Sequence, residues 1–200
     1  AKIPSKHEPS PYNHFIEPSP DQLLRVCVGL AFKRARLRYI YSILRGKDLE
    51  TERFSDKRRD EQFNKLKEAQ AKALNIQYWQ DFFKCIHKAG FRTGKMISSN
   101  TNLLYNYVLY LIGRTEYHIE EHKLRKVIAQ WFFMTSLTGR YTGSSESAMG
   151  SDLARFRDVT DGEDFLNILL RICDLELTED YWNITLPNAL ATSSPRSPSL

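Results

Sequence analysis

Residues 19–46 read SPDQLLRVCVGLAFKRARLRYIYSILRG, and their spacing decides the class of fold. Ser19, Pro20 and Gln22 form a helix start: a hydroxyl that accepts from first-turn amides, a proline whose missing N–H costs nothing there, and a glutamine placed to complete a capping box. Leu23, Cys27, Leu30, Leu37, Tyr41 and Leu44 then recur at helical intervals, and Gly46 supplies a C-terminal stop. The pattern predicts one amphipathic helix from residue 20 to about residue 45, with Lys33, Arg36 and part of the remaining basic set on its other faces.

Outward from that stretch the same period continues. Five of the eight prolines lie in the first twenty residues and none occurs between Asp21 and Leu186, so the strongest helix breaker is absent from the whole interior. A polar stretch covers residues 48–60. Phe63, Leu66, Ala69, Ala73 and Leu74 then mark a second helix ending near Asn75, and Trp79, Phe82, Phe83 and Ile86 a third that Gly90 stops. Residues 91–99 read as a connecting loop. Asn100 or Thr101 is placed to cap a helix containing Leu103, Leu104, Tyr107, Val108 and Leu111, which Gly113 ends. Leu124, Val127, Ile128, Trp131 and Thr135 give a longer helix up to a loop at Gly139. Ser151 then caps a short helix with Leu153 and Phe156, and Phe165, Leu169 and Ile172 supply the last.

Only residues 182–186 read as extended, and no repeat or period-two run is long enough for a sheet. The expectation is an all-α domain of six to eight helices over residues 20–186. A proline-rich linker, 1–19, precedes it and a Ser/Pro-rich linker, 187–200, follows. The initial Ala and the Ser/Pro-rich end suggest a piece of a longer polypeptide, the second linker leading to a missing C-terminal segment.

Composition bounds the function classes. Cys27, Cys85 and Cys173 are odd in number, widely spaced and set among apolar helical residues, so they form neither a disulfide framework nor a metal clip. They read as reduced core residues of a cytoplasmic protein. No apolar run approaches the roughly twenty residues that span a bilayer, and the N-terminus lacks a signal-peptide core. The net charge of +5 is unevenly spread. Between Gln22 and Lys47 stand Arg25, Lys33, Arg34, Arg36, Arg38, Arg45 and Lys47 without one acid, whereas from Gly150 onward nine acids face four arginines. A basic helix of this kind faces either nucleic acid or that acidic end.

Several short motifs invite chemistry. His118, Glu121 and His122 spell H-x-x-E-H, in which two histidines share a zinc ion and the glutamate acts as base. The neighbouring Lys123, Arg125 and Lys126 oppose a divalent ion, so the default reading is a charged helix start. Gly90, Gly94 and Lys95 echo a phosphate loop, but the glycine spacing is one residue short and Met96 replaces the magnesium-binding hydroxyl. Gly143-Ser144-Ser145-Glu146-Ser147 lacks the second glycine and the leading strand of a nucleophile elbow. Lys33, Arg34, Arg36 and Arg38 offer cations to phosphates, with Tyr39 and Tyr41 near enough to stack or pack. Arg140 and Tyr141 stand where a Gly/Ser-rich loop leaves a long helix, a position suited to capturing phosphate or to capping that helix's free carbonyls.

The order of elements carries a resemblance: NTNLLYNYVLYLIG at 100–113, LRKVIAQWFFMTSLTGRYTGSSES at 124–147, DLARFRD at 152–158 and DYWNITLPNALATSSPRSPSL at 180–200. Over residues 21–200, and most specifically at 131–147, the chain resembles the helical part of GmrSD-type proteins, the modification-dependent (type IV) DNA restriction family. Chains of that family carry a ParB-like N-terminal domain whose Asp-Gly-Gln-Gln-Arg motif is linked to nucleotide hydrolysis, and an HNH-type nuclease domain commonly follows. Neither motif occurs in this sequence. The resemblance therefore implies a non-catalytic connector with no cofactor of its own, the nucleotide triphosphate and divalent metal belonging to the flanking domains.

Three readings follow. The first is a DNA-associated helical module of a restriction system acting in phage defence, with Lys33, Arg34, Arg36, Arg38, Arg140 and Tyr141 toward nucleic acid and the ParB-like and nuclease domains as partners. The second is a structural or protein-interaction module whose basic helix docks on acidic residues. The third is a zinc hydrolase through His118 and His122. The aromatic content of the helices also leaves room for a homo-oligomeric face.

Overall fold

The computed structural model describes residues 15–47, 51 and 53–192, and the side chains of Arg38 and Tyr39 lie outside the described set. The fold is all-α. Among the described residues nine α-helices follow one another: α1 Pro20–Phe32, α2 Arg38–Leu44, α3 Asp56–Ala73, α4 Ile76–Lys88, α5 Asn100–Thr115, α6 Glu121–Leu137, α7 Ser145–Ala154, α8 Gly162–Glu176 and α9 Leu186–Thr192. A 3₁₀ turn at Gly94–Met96 precedes α5, and a single antiparallel bridge joins Lys47 to Phe54. No helix among the described residues is long and apolar enough to cross a membrane.

α5 is the axis of the domain. Its residues from Asn102 to Gly113 are all buried, as expected of a helix surrounded by others. α1 and α6 pack along it, α3 backs α1, α4 touches α5 and α6, and α8 closes the far side of α6. At Gly29 the α1 backbone approaches α5 so closely that a Cβ would stand 3.0 Å from Val108. Trp79 stacks on Tyr107 with centroids 3.8 Å apart. The Trp79 indole and the Tyr107 hydroxyl both donate to the carbonyl of Ala73, at 2.8 and 3.3 Å. That carbonyl lies at the end of α3, where no intrahelical donor remains, so two aromatic side chains satisfy it and lock α3 onto α4 and α5.

The cap at Ser19 and the stop at Gly90 match the sequence pattern. Ser19 and Gln22 form the complete capping box, Asn75 caps α4, and Gly90 follows α4 with φ +99°. Several expectations are corrected. The predicted helix over residues 20–45 breaks at Lys33, which adopts the left-handed conformation (φ +51°), and α2 starts anew at Arg38. The break has a tertiary cause: Lys33 Nζ donates to the Leu30 carbonyl at 2.8 Å and pairs with Glu116 at the end of α5. No glycine or proline marks this turn.

α3 begins at Asp56 under a Ser55 cap, inside the expected polar stretch, and Ser99 rather than Asn100 or Thr101 caps α5. α5 runs past Gly113 to Thr115. Ser151 lies within α7 instead of capping it, and Asp161 caps α8.

Residues 182–186, expected as extended, form a π turn over Tyr181–Thr185 that enters α9. Pro187 lacks the amide that would close the helical bond to Asn183, and the wide turn lies at that point. The linker boundaries also move. Phe15 and Ile16 are buried, with Phe15 5.2 Å from the Phe83 ring, while α9 occupies part of the expected C-terminal linker. The remainder of the two linkers, residues 1–14 and 193–200, lies outside the described residues.

Candidate nucleic-acid interface

The loop after α6 is organised by one buried carboxylate. Asp152 on α7 is 0 % exposed and accepts from Arg140 Nε at 2.9 Å, Arg140 Nη2 at 2.7 Å and the Tyr141 hydroxyl at 2.7 Å. Arg140 Nη1 reaches Glu176 of α8 at 2.6 Å, and the guanidinium lies over the Trp131 ring, 5.6 Å from its centroid. The planar fork is therefore spent on two carboxylates. Hydrogen bonding to Asp152 pushes the Arg140 pKa up, and burial, reinforced by the Asp152 charge, pushes Tyr141 well above its ordinary value.

Arg140 and Tyr141, expected as nucleic-acid contacts, are thus internal ties joining α6, α7 and α8. Tyr141 is only 1 % exposed. A phosphate at Arg140 would have to strip a buried ion pair first.

The H-x-x-E-H reading fails on geometry. His118 stands in the turn before α6 with φ +50°, and only His122 belongs to the helix, so the two imidazoles are not one helical turn apart on a common face. His122 Nδ1 lies 2.8 Å from Glu120 instead. Among the described residues no group of three His, Cys, Asp or Glu side chains is placed to hold a metal ion.

The basic strip divides. Lys33 is committed to Leu30 and Glu116, and burial lowers its pKa against the pull of that glutamate. Arg34 and Arg36 behave differently. They line an open groove of about 330 Å³ between the α1–α2 connection and α7, facing Ser147, Gly150 and Ser151. Arg36 Nη2 donates to Ser147 Oγ at 2.6 Å, and neither arginine has a carboxylate partner among the described residues.

The groove continues along Gly143, Ser144 and Ser145 into the first turn of α7, whose N-cap Ser144 makes no side-chain capping bond. Two guanidinium groups without a carboxylate partner among the described residues, beside a helix start that lacks a side-chain cap and with hydroxyls alongside, are suited to phosphate oxygens. Glu146 borders the groove but is paired with Arg25, which also holds Asp21 at 3.2 Å.

The sequence pattern did not single out Arg25, Ser144, Ser147 or Glu146 as a unit. Its one available signal was the serine cluster before Glu146, which reads as a helix start once Ser151 is no longer taken for the cap. Searches against family models, curated proteins and solved structures return no match for this chain.

Proposed function

We propose that this chain is a non-catalytic helical module of a modification-dependent DNA restriction protein, joining a ParB-like domain to a nuclease domain and meeting the DNA backbone through the groove of Arg34 and Arg36. The family part of this reading rests on the sequence resemblance over residues 21–200. The contact part rests on one observation: Arg34 and Arg36 face the uncapped start of α7 without a carboxylate partner among the described residues, whereas the other expected contacts on described side chains are consumed internally. Such contacts fix position on a duplex and carry no base sequence by themselves. The partners in this reading are DNA and the flanking domains, the setting is the cytoplasm, and three buried free cysteines accord with a reducing compartment.

The test is fluorescence anisotropy with a short labelled duplex, plain and hydroxymethylated. Binding is expected to fall on Arg34→Glu with Arg36→Glu and to survive Arg140→Gln at a temperature where that variant is folded. Equal loss in both variants, or none in either, defeats the assignment.

A second reading has its own support. Arg25, Lys33 and Arg140 pair with Glu146, Glu116 and Asp152 across the domain, so much of the basic set acts as internal clasps. Under that reading the Arg34 and Arg36 reversals leave duplex binding unchanged and disturb an assembly with a neighbouring domain.

A further inference from the structure

The last turns of α6 hold two surface segments of opposite charge. On one flank, the loop between α4 and α5 is seated by Phe91, whose ring meets Phe132 edge-on with centroids 4.8 Å apart. The 3₁₀ turn Gly94–Met96 keeps that loop in shape, and the Arg92 amide donates to Met96 Sδ at 3.3 Å. At the end of α6, the Tyr181 hydroxyl donates to the Leu137 carbonyl at 3.2 Å and so fixes the chain that leaves α8. Phe132 and Leu137 are separated by about 7–8 Å along the helix. Phe133 lies between the two segments on the outward ridge of α6, which Lys126 and Gln130 continue.

The loop side is basic throughout. From Phe82 to Thr115 the sequence has no Asp or Glu, and Lys88, Arg92 and Lys95 are exposed without an ion pair among the described residues. The side beyond α8 is the reverse. From Ile172 to Thr192 it has no Lys or Arg, and Asp174, Glu179 and Asp180 are exposed and equally unpaired among the described residues. Large apolar side chains stand uncovered in both segments and on the ridge: Met96, Phe133, Trp182 and Ile184 are each more than a third exposed. No residue of the π turn or of α9 is buried, although a seven-residue helix is not held in water by its own hydrogen bonds.

We propose that this end of the domain is a two-fold interface between two copies of the chain. A face with cations on one half and acids on the other becomes complementary to itself when turned by 180°. The basic loop of each copy then meets the 174–184 segment of the other, with Phe133, Met96 and Trp182 as the apolar centre. The pairing of signs selects a second copy over other occupants. A nucleic acid would be repelled by the acids, and a uniformly acidic or basic protein surface would match only half of the face. A stable interface buries about 800 Å² on each partner, which requires the loop, the α6 ridge and the segment through α9 together. This face is separate from the Arg34 and Arg36 groove, and the two stand or fall independently.

The experiment is sedimentation of the native chain over a concentration series at low and high salt. A monomer–dimer equilibrium that weakens as salt rises is expected. Arg92→Glu with Lys95→Glu makes the face wholly acidic, and Glu179→Lys with Asp180→Lys makes it wholly basic. Each of these variants alone should weaken dimerisation at least about tenfold. An equimolar mixture of the two should recover the native affinity, because every contact across the axis is then between opposite charges.

Trp182→Ala should weaken dimerisation about tenfold with an unchanged circular dichroism spectrum, since the side chain it removes is exposed. A native chain that is monomeric at every concentration overturns the interface. If that monomer also loses duplex binding on Arg92→Glu with Lys95→Glu, the loop belongs to nucleic acid instead. A dimer that persists unchanged in both reversed variants, or a mixture no stronger than its separate parts, overturns the two-fold pairing of this face.

Discussion

Replacing Asp152 by Asn tests whether the loop after α6 is held by a buried charge. Asp152 is 0 % exposed and receives three hydrogen bonds, two from Arg140 and one from Tyr141. The asparagine keeps the volume but removes the charge and turns one accepting oxygen into a donor aimed at other donors. Breaking a buried pair of this kind costs about 3–5 kcal/mol. The lower end applies, because Arg140 keeps Glu176 as a partner whose side chain is 42 % exposed. About 3 kcal/mol in a chain of this length corresponds to a drop in Tm of roughly 6–12 °C. Thermal and guanidinium denaturation followed by circular dichroism give the value. A loss under about 0.5 kcal/mol would mean that the carboxylate does not anchor the loop. Arg140→Met combined with Asp152→Leu and Tyr141→Phe should recover much of the deficit, since an apolar cluster of similar volume avoids the desolvation cost that each single variant exposes and leaves no Tyr141 hydroxyl without its acceptor.

Three other outcomes follow from particular contacts. Gly46→Ala should destabilise by at least about 1–2 kcal/mol in a denaturant melt, because φ is +86° and the new Cβ would lie 2.3 Å from the Ser55 carbonyl, a backbone atom that cannot swing away. Gly113→Ala should cost about 1–3 kcal/mol by the same measurement, since its Cβ would meet Leu124 at 2.6 Å and Phe165 at 3.2 Å in a filled core; a neutral result would show that α5 and α6 can separate slightly. Burial pushes the thiols of Cys27, Cys85 and Cys173 from 9.0 up to about 11, 12 and 12. The folded chain then holds protons that the unfolded chain releases, so stability is intact below pH 9 and is lost as pH rises toward 11–12. A denaturation midpoint that stays flat from pH 8 to 11 would contradict this, as would rapid reaction of the folded protein with a thiol reagent at pH 8.

The all-α class was legible because it depends on local quantities: cap residues, the helical period and the absence of proline from 21 to 186. The capping box at Ser19 and the Gly90 stop after α4 needed nothing beyond neighbouring residues. The break at Lys33 was illegible for the opposite reason. Its partner Glu116 lies 83 residues away, and no local signal favours a left-handed lysine.

Arg140 shows the same limit in the functional reading. From sequence, an arginine in a glycine-rich loop looks available, but Asp152 and Glu176 reach it only once α7 and α8 have packed. Arg34 and Arg36 were legible as basic residues. That they face a serine-lined helix start became visible only when α7 was found to begin at Ser145.

The most direct test of the proposed contact is the salt dependence of duplex binding, compared between the native chain and the Arg34→Glu, Arg36→Glu variant. Each phosphate neutralised contributes about 0.9 to the slope of log affinity against log salt, so removing two contacts should flatten it by about two. A flatter slope with weaker binding, while Arg140→Gln keeps the native slope, is the expected result. A slope unchanged by the double reversal, or native binding that is insensitive to salt, would contradict the claim that this groove meets DNA.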